Sequence, residues 1–303
     1  MRFLVIFVTC ILTAAHSGSC QDDQQKVPFR DVLKSLVQER QAPKQFEVEY
    51  RLLEMQLDRI RISDEGEEVR YTGHRFETCG VVRFDEFASK LYVDSKSKLL
   101  DVFDPEDREG LLESLGASRR DKAILCISGQ RIEYEPAIDR IRTFKGPDRL
   151  EREIPIDFAI FGLGSPFDVK KHTPFEDVAK RMSEWFGKWD VPIDKDGIVT
   201  VDVKNEIYKI DTERGYWPIL HQVLVGDIRN GSKIKVPQES QKIELIKFKE
   251  HWLQKKVEIH TPAMTRVYEF QWLRYDEPLG PTAFDLKEII KDRWTRKEAG
   301  KGG

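Results

Sequence analysis

Residues 242–275 of the chain read KIELIKFKEHWLQKKVEIHTPAMTRVYEFQWLRY. Apolar and polar side chains alternate along Lys242–Trp252, Lys256–His260 and Arg266–Tyr275. This period of two is typical of half-buried β-strands, whose successive side chains point to opposite faces of a sheet. Only a few residues separate these segments, as in β-hairpins. The stretch therefore predicts an antiparallel meander.

The same alternation extends through most of the chain and predicts a mainly β (α+β) fold. Asp227–Gln241 is polar and is interpreted as a loop, and Thr212–Gly215 as a turn. Ten or more strands with few helices favour a large curved antiparallel sheet or an unclosed β-barrel. The predicted strands upstream are Phe46–Ile62 (one strand or two joined by a bend), Val69–Thr78, Cys79–Phe87, Lys90–Val93, Ala123–Ser128, Arg131–Tyr134, Asp139–Phe144, Val199–Val203, Ile207–Ile210 and Tyr216–Val225.

Two amphipathic helices are predicted, with a shorter one over Asp104–Gly116. The first begins near Phe29 and ends before Pro43. The second covers Phe175–Trp189, where apolar side chains recur on one face. Because such apolar stripes must be buried, we expect these helices on the concave face of the sheet. The second helix presents Phe175, Val178, Ala179, Met182, Trp185, Phe186 and Trp189.

The N-terminus has the pattern of a cleavable secretory signal peptide over residues 1–19. Arg2 precedes the apolar run Phe3–Ala15, and small residues follow it. The run is too short to span a membrane. The sequence therefore predicts an exported protein of the periplasm or cell envelope. Its parts are the signal peptide, a polar tether over 20–27, a single domain over 28–286 and a charged flexible tail over 287–303.

Three cysteines follow the signal's own Cys10. An oxidising compartment favours pairing, and Cys79 and Cys126 both lie in predicted strands, so a disulfide between them is one interpretation and two buried thiols are the other. Cleavage after Ser19 would leave Cys20 at the N-terminus for lipidation and membrane association. A lipoprotein signal normally has an aliphatic residue three positions before the cysteine. Ser17 occupies that position here, so the match is poor.

Several function classes lack support. A net charge of -3 does not favour a nucleic-acid partner. The six histidines form no His-x-x-x-His pair and no Cys-x-x-Cys occurs, so no metal or cofactor is expected. No Gly-x-Ser-x-Gly motif is present, and Phe161–Pro166 lacks the third glycine of a nucleotide loop, so it is interpreted as a tight turn.

Aromatic side chains are concentrated in the second half of the chain. Core packing explains them in one interpretation. In the other, an apolar cavity between the sheet and the second helix holds a lipid-like ligand. The helix residues named above, except Ala179, would then contact the ligand as a lid. The sheet would contribute Trp217, Trp252, Phe270 and Trp272.

The order of segments resembles the LolA/LppX/LolB superfamily of lipoprotein carriers. The similarity is carried by Gly215-Tyr216-Trp217-Pro218, by a strand ending at Trp252, by the strand before Pro262, and by the aromatic strand Arg266–Trp272 with Asp276 and Phe284 beyond. The chain departs from the pattern by an extra segment, Phe161–Asp196. The resemblance implies an unclosed barrel whose hydrophobic interior takes acyl chains beneath helical lids. It assigns no specific ligand contact.

The sequence thus predicts a non-enzymatic envelope protein, a carrier or sensor that binds the acyl chain of a lipid or an acylated protein. One alternative is an exported structural or interaction protein with a core filled by side chains. Another is an unrecognised hydrolase, which would need a carboxylate pair facing a pocket with one strongly raised pKa.

Overall fold

Most of the chain described by the computed structural model is β-strand. The described residues are 25–39, 43–62, 68–71, 73–102, 121–135, 140–147, 150, 154, 163, 180–184, 187–203, 205–229 and 232–291. The predicted signal peptide, Cys20 and the short helix of Asp104–Gly116 lie outside them, as does nearly all of the Phe161–Pro166 turn. Within the described ranges, no helix is long and apolar enough to cross a membrane.

The described residues form sixteen strands and one full helix, α1 (Phe29–Glu39). Residues 180–184 and 286–291 are also helical. The strands are β1 (Lys26–Pro28), β2 (Gln45–Gln56), β3 (Arg59–Ile62), β4 (Glu68–Tyr71), β5 (His74–Asp85), β6 (Lys90–Val102), β7 (Lys122–Ile127), β8 (Gln130–Glu135), β9 (Arg140–Lys145), β10 (Asp190–Pro192), β11 (Ile198–Val203), β12 (Glu206–Asp211), β13 (Trp217–Arg229), β14 (Ser232–Phe248), β15 (His251–Thr261) and β16 (Met264–Tyr275).

Twelve strands form one antiparallel sheet in the order β11-β12-β13-β14-β15-β16-β2-β5-β6-β7-β8-β9. In the described residues its two end strands do not pair with each other, so the sheet is open. β1 pairs with β10, and β3 with β4, as separate ribbons. The predicted mainly β, unclosed antiparallel sheet is confirmed, as is the bend that divides Phe46–Ile62 into β2 and β3.

The two faces of the sheet differ in chemistry, because alternate residues of each strand point to opposite sides. The floor face is the one that carries Phe46, Val48 and Tyr50 of β2. The outer face carries Glu47 and Arg51 of the same strand. Outer-face side chains form ion pairs between neighbouring strands, such as Arg51 with Glu77 and with Glu269, and Arg83 with Glu47.

Helix α1 packs on the floor face at the β11–β12 end of the sheet. Its Phe29 and Leu36 are fully buried among Val199, Val201 and Ile210. Asp31 lies in its first turn, where a negative charge is favourable. The amide of Phe29 donates to the carbonyl of Trp189 at 2.9 Å, which holds the start of the helix beside β10. The predicted first helix and its packing on the sheet are confirmed.

The C-terminal helical residues 286–291 lie against the outer face. Phe284 and Ile289 share a buried cluster with Tyr92, Leu125 and Tyr134 of β6–β8. The first residues of the predicted charged tail are therefore helical, and Ile289 is only 3% exposed. The division of the chain into tether, domain and tail stays a prediction.

The predicted polar loop at Asp227–Gln241 is wrong. Asp227–Arg229 complete β13 and Ser232–Gln241 begin β14, and these strands pair from Leu220↔Lys242 to Arg229↔Ser232. The segment is a long hairpin, because Ile228, Ile234 and Val236 alternate with its polar residues. The predicted strand Lys242–Trp252 is likewise divided by a turn, in which Lys249 has a φ of 54°.

No disulfide joins Cys79 and Cys126, so that interpretation is wrong. Along β6, Cys79 lies opposite Lys96, whereas Cys126 lies opposite Leu91. The two cysteines are therefore five β6 residues apart. Alternation also places Cys79 on the outer face, where it is exposed, and Cys126 in the buried cluster of the floor face. The alternative of two buried thiols is correct for Cys126 alone.

Leu36→Ala should destabilise the fold by about 2–5 kcal/mol, because it leaves a cavity between α1 and the sheet. Urea unfolding followed by far-UV circular dichroism measures this change. Lys34→Ala, on the exposed side of the same helix, should change the free energy of unfolding by less than about 0.5 kcal/mol. Equal effects of the two substitutions would contradict the packing of α1 on the floor face.

Candidate ligand-binding face

The floor face carries a continuous apolar and aromatic surface in the middle of the sheet, which we call the floor. Strand pairing builds it, because Phe46 faces Phe84, and Tyr50 faces Phe270. The rings of Phe46 and Phe84 are 5.6 Å apart, and those of Phe46 and Trp272 are 6.1 Å apart. The side chains of the floor are Phe46, Val48, Tyr50, Val82, Phe84, Leu91, Val93, Ile124, Cys126, Ile243, Leu253, Val257, Ile259, Tyr268, Phe270 and Trp272.

Gly80 lets the ring of Tyr50 lie flat across the floor. A Cβ at Gly80 would lie 2.6 Å from the Tyr50 ring and 2.3 Å from the backbone oxygen of Asp94, so any other residue would force a shift. Burial raises the pKa of the Tyr50 phenol, and likewise that of Tyr268. Both phenols therefore stay neutral and add polar atoms to the floor without adding charge.

A row of polar side chains crosses the same face at one end of the floor. Successive pairings place Tyr208 beside His221, His221 beside Gln241, and Arg266 beside Glu54, with Ile259 between Gln241 and Arg266. Alternation puts two further carboxylates on this face next to the row. We call the whole set the polar band: Glu54, Glu206, Tyr208, His221, Glu239, Gln241 and Arg266.

The acidic end of the polar band is centred on His221, which is buried. Its Nε2 lies 3.3 Å from Oε2 of Glu206, and its ring stacks on Tyr208 with centroids 4.4 Å apart. The Tyr208 hydroxyl donates to the same carboxylate. The hydrogen bond with His221 holds the pKa of the Glu206 carboxyl below its ordinary value. The hydrogen bond from Tyr208 acts in the same direction and contributes less.

Glu239 lies on β14, next to the strand of His221, and the pKa of its carboxyl is shifted in the opposite direction. Burial raises the pKa of its carboxyl, the positive form of His221 lowers it, and the charge of Glu206 raises it further. Two carboxylates around one histidine thus have pKa values displaced apart. In the described residues, no group of three or more His, Cys, Asp or Glu side chains has the arrangement needed to hold a metal ion.

The other end of the polar band is an ion pair between β16 and β2. Nε of Arg266 donates to Oε2 of Glu54 at 2.7 Å, and the two side chains are 17% and 4% exposed. Removing either partner would leave a buried charge uncompensated, which is far more costly than removing both.

The four predicted sheet residues separate into two pairs. Phe270 and Trp272 lie in the floor, and the Trp272 indole donates to the carbonyl of Gln254 at 2.7 Å. Trp217 instead donates to the carbonyl of Trp252 at 2.6 Å. Neither Trp217 nor Trp252 belongs to the floor cluster. Their shared bond joins β13 to β15.

The predicted lid helix is described only in part. Met182 is buried in the cluster that α1 forms with β11 and β12, and Trp189 is 44% exposed. Phe175, Val178, Trp185 and Phe186 lie outside the described residues, so their contacts with a ligand stay predictions. The described part of the lid thus contacts the α1 end of the face.

Comparison with known proteins gives fold likenesses only. The chain matches no protein-family model and no curated protein. Among solved structures it is similar to a LolA superfamily protein from Nitrosomonas europaea (10% identity, TM-score 0.32) and to a DUF1329 family protein from Desulfovibrio piger (11% identity, TM-score 0.35). Each alignment covers 86% of this chain and 99% of the other. At these TM-scores the likenesses carry no argument about function.

At pH 7, Glu206→Gln should destabilise the fold, whereas Glu239→Gln should not. The lowered pKa of Glu206 means that its ionised form stabilises the fold above its ordinary value of 4.5, and that this contribution is lost as the pH falls through the folded-state pKa. The raised pKa of Glu239 means that its ionised form is penalised above the folded-state pKa. We therefore expect a lower Tm for Glu206→Gln and an equal or higher Tm for Glu239→Gln.

Thermal unfolding at several pH values between about 3 and about 8 measures both effects. The two variants should converge with the wild type only below the lowered folded-state pKa of Glu206, where both carboxyls are protonated in either state. Parallel loss of Tm by both variants at pH 7 would contradict the assignment.

Proposed function

We propose that this chain is a non-enzymatic envelope protein that binds the acyl chain of a lipid or lipoprotein on its floor face, as a carrier or sensor. The observation that supports it most is the combination of a broad apolar floor with a partly buried polar band at one end of the same face. An amphiphile has the same division into an apolar and a polar part. Export rests on the signal-peptide pattern of residues 1–19.

Binding would be sequestration, without any covalent step. Each methylene removed from water gains about 0.8 kcal/mol, so a tail that buries ten of them gains roughly 8 kcal/mol before ordering costs. The aromatic rings offer flat surfaces for such a tail. The polar band, with Arg266 and Glu54 on one side and Glu206 and His221 on the other, would face the headgroup.

A carrier must also release its cargo, so whatever covers the floor has to pack weakly. Among the described residues outside the sheet, Leu150 and Ile154 pack on this cluster. Both belong to the connection between β9 and β10 and to no strand. We propose that Leu150 and Ile154 shift when a ligand enters, whereas α1 stays in place at the end of the face.

A second candidate is an exported structural or interaction protein whose floor is filled by its own side chains. It is favoured by burial, since no side chain of the floor is more than 8% exposed. The two candidates differ in whether the protein retains a lipid.

Native mass spectrometry of the full chain, purified from the membranes of its expression host, should detect a bound lipid. After lipid extraction, a fluorescent palmitate analogue should bind with micromolar or better affinity. Tyr268→Ala should weaken its binding about tenfold, because an aromatic surface of the floor is lost. Val267→Ala, the adjacent residue on the outer face, should change the affinity less than twofold, which corresponds to about 0.4 kcal/mol.

Far-UV circular dichroism of both variants confirms that each is folded. A folded protein that retains no lipid and does not bind the palmitate analogue would overturn the carrier proposal and favour the structural one. Equal loss of binding in both variants would place the ligand elsewhere.

A further inference from the structure

The two edges of the twelve-stranded sheet are not equally protected. At one edge, β11 is contacted by Ile193, which bridges to Val199, and its valines are buried beneath α1. At the other edge, β9 pairs only with β8 among the described strands. Its Ile141 and Phe144 are 51% and 45% exposed. Unpaired edge strands template the addition of another strand, and proteins normally cover or shorten them.

All the charged residues of strand β9 are basic. Its sequence, RIRTFK, has three cations and no acidic residue. Arg142 lies 3.6 Å from Glu135 of β8. For Arg140 and Lys145, no ion pair is formed with any part of the chain that the structure describes. One interpretation is that these charges only keep other strands from pairing with β9. The two exposed apolar side chains on the same strand argue against this interpretation.

The backbone of β9 has an identifiable free side. The amide of Gly146 donates to the carbonyl of Gly129 on the β8 side at 2.7 Å. Backbone groups of an antiparallel strand alternate in direction, so those of Phe144 and Arg142 also face β8. The amides and carbonyls of Ile141, Thr143 and Lys145 then face away from the sheet, where no other described strand pairs with them.

We propose that β9 docks an extended acidic segment of a partner protein, which adds as a thirteenth strand. Backbone bonds along the free side would give affinity, and side-chain pairing would give specificity. The segment carries acidic residues opposite the cations of β9 and apolar residues opposite Ile141 and Phe144. A second copy of this chain fits less well, because antiparallel pairing of two β9 strands offers no carboxylate to any of the cations, and pairing centred on Arg142 sets the two copies of that residue against each other.

Fluorescence anisotropy tests the proposal, using the full chain and a labelled peptide of about eight residues that contains Glu-Val-Thr-Glu-Val-Glu. In antiparallel pairing this order sets a glutamate opposite each cation of β9 and a valine opposite Phe144 and Ile141. Thr143→Pro removes one outward amide but no bond to β8, and proline is tolerated on edge strands. We expect it to weaken binding at least about tenfold, while Thr143→Ala, which keeps the amide, changes binding less than about twofold. The same peptide with lysine in place of each glutamate should not bind.

A second variant, Arg140→Glu with Lys145→Glu, keeps the test decisive if Thr143→Pro fails to fold. It should abolish binding of the glutamate peptide and create binding of the lysine peptide. Binding of both peptides by the wild type, or an unchanged affinity of folded Thr143→Pro, would overturn the proposal. A dimer detected by analytical ultracentrifugation would also overturn it, if the Arg140→Glu, Lys145→Glu variant still forms the dimer and the dimer blocks peptide binding.

Discussion

The pairing of β16 with β2 is the constraint on which the rest of the structure depends. It joins the C-terminal meander β11–β16 to the N-terminal strands of the sheet, across 220 residues between Tyr50 and Phe270. Such a contact must overcome a large loop-closure entropy before its neighbours contribute. Without this pair the sheet would divide in two, and the floor would lose its continuity at its most aromatic point.

The same joint explains the position of the polar band. Arg266 and Glu54 face each other only because β16 and β2 are neighbours, and their ion pair lies in line with the His221 cluster three strands away. Buried polar groups are costly unless they are satisfied, so each end of the band is held by hydrogen bonds within the chain. The face is thereby apolar over its middle and polar at one end, which is the basis of the proposed binding of an amphiphile.

An open sheet of this size also leaves edges, and the chain treats them differently. The β11 edge is covered by α1 and by the bridge to Ile193, so hydrophobic burial and edge protection are achieved together. The β9 edge is left with cations and two exposed apolar side chains. Lipid binding on the floor face and strand docking at β9 would therefore use separate parts of one sheet.

The local periodicity of the sequence by itself determined much of this protein. A period of two residues predicts the strands of the meander, the bend after β2 and the mainly β class, and a period of 3.6 residues predicts the first helix. The hairpin at 227–241 was missed because its polar residues obscure a weak alternation. The separation of Cys79 from Cys126, the division of four aromatic residues into two pairs, and the row from Tyr208 to Glu54 were decided only by the tertiary structure. Each depends on the register between strands, and a shift of one residue would move every side chain to the other face.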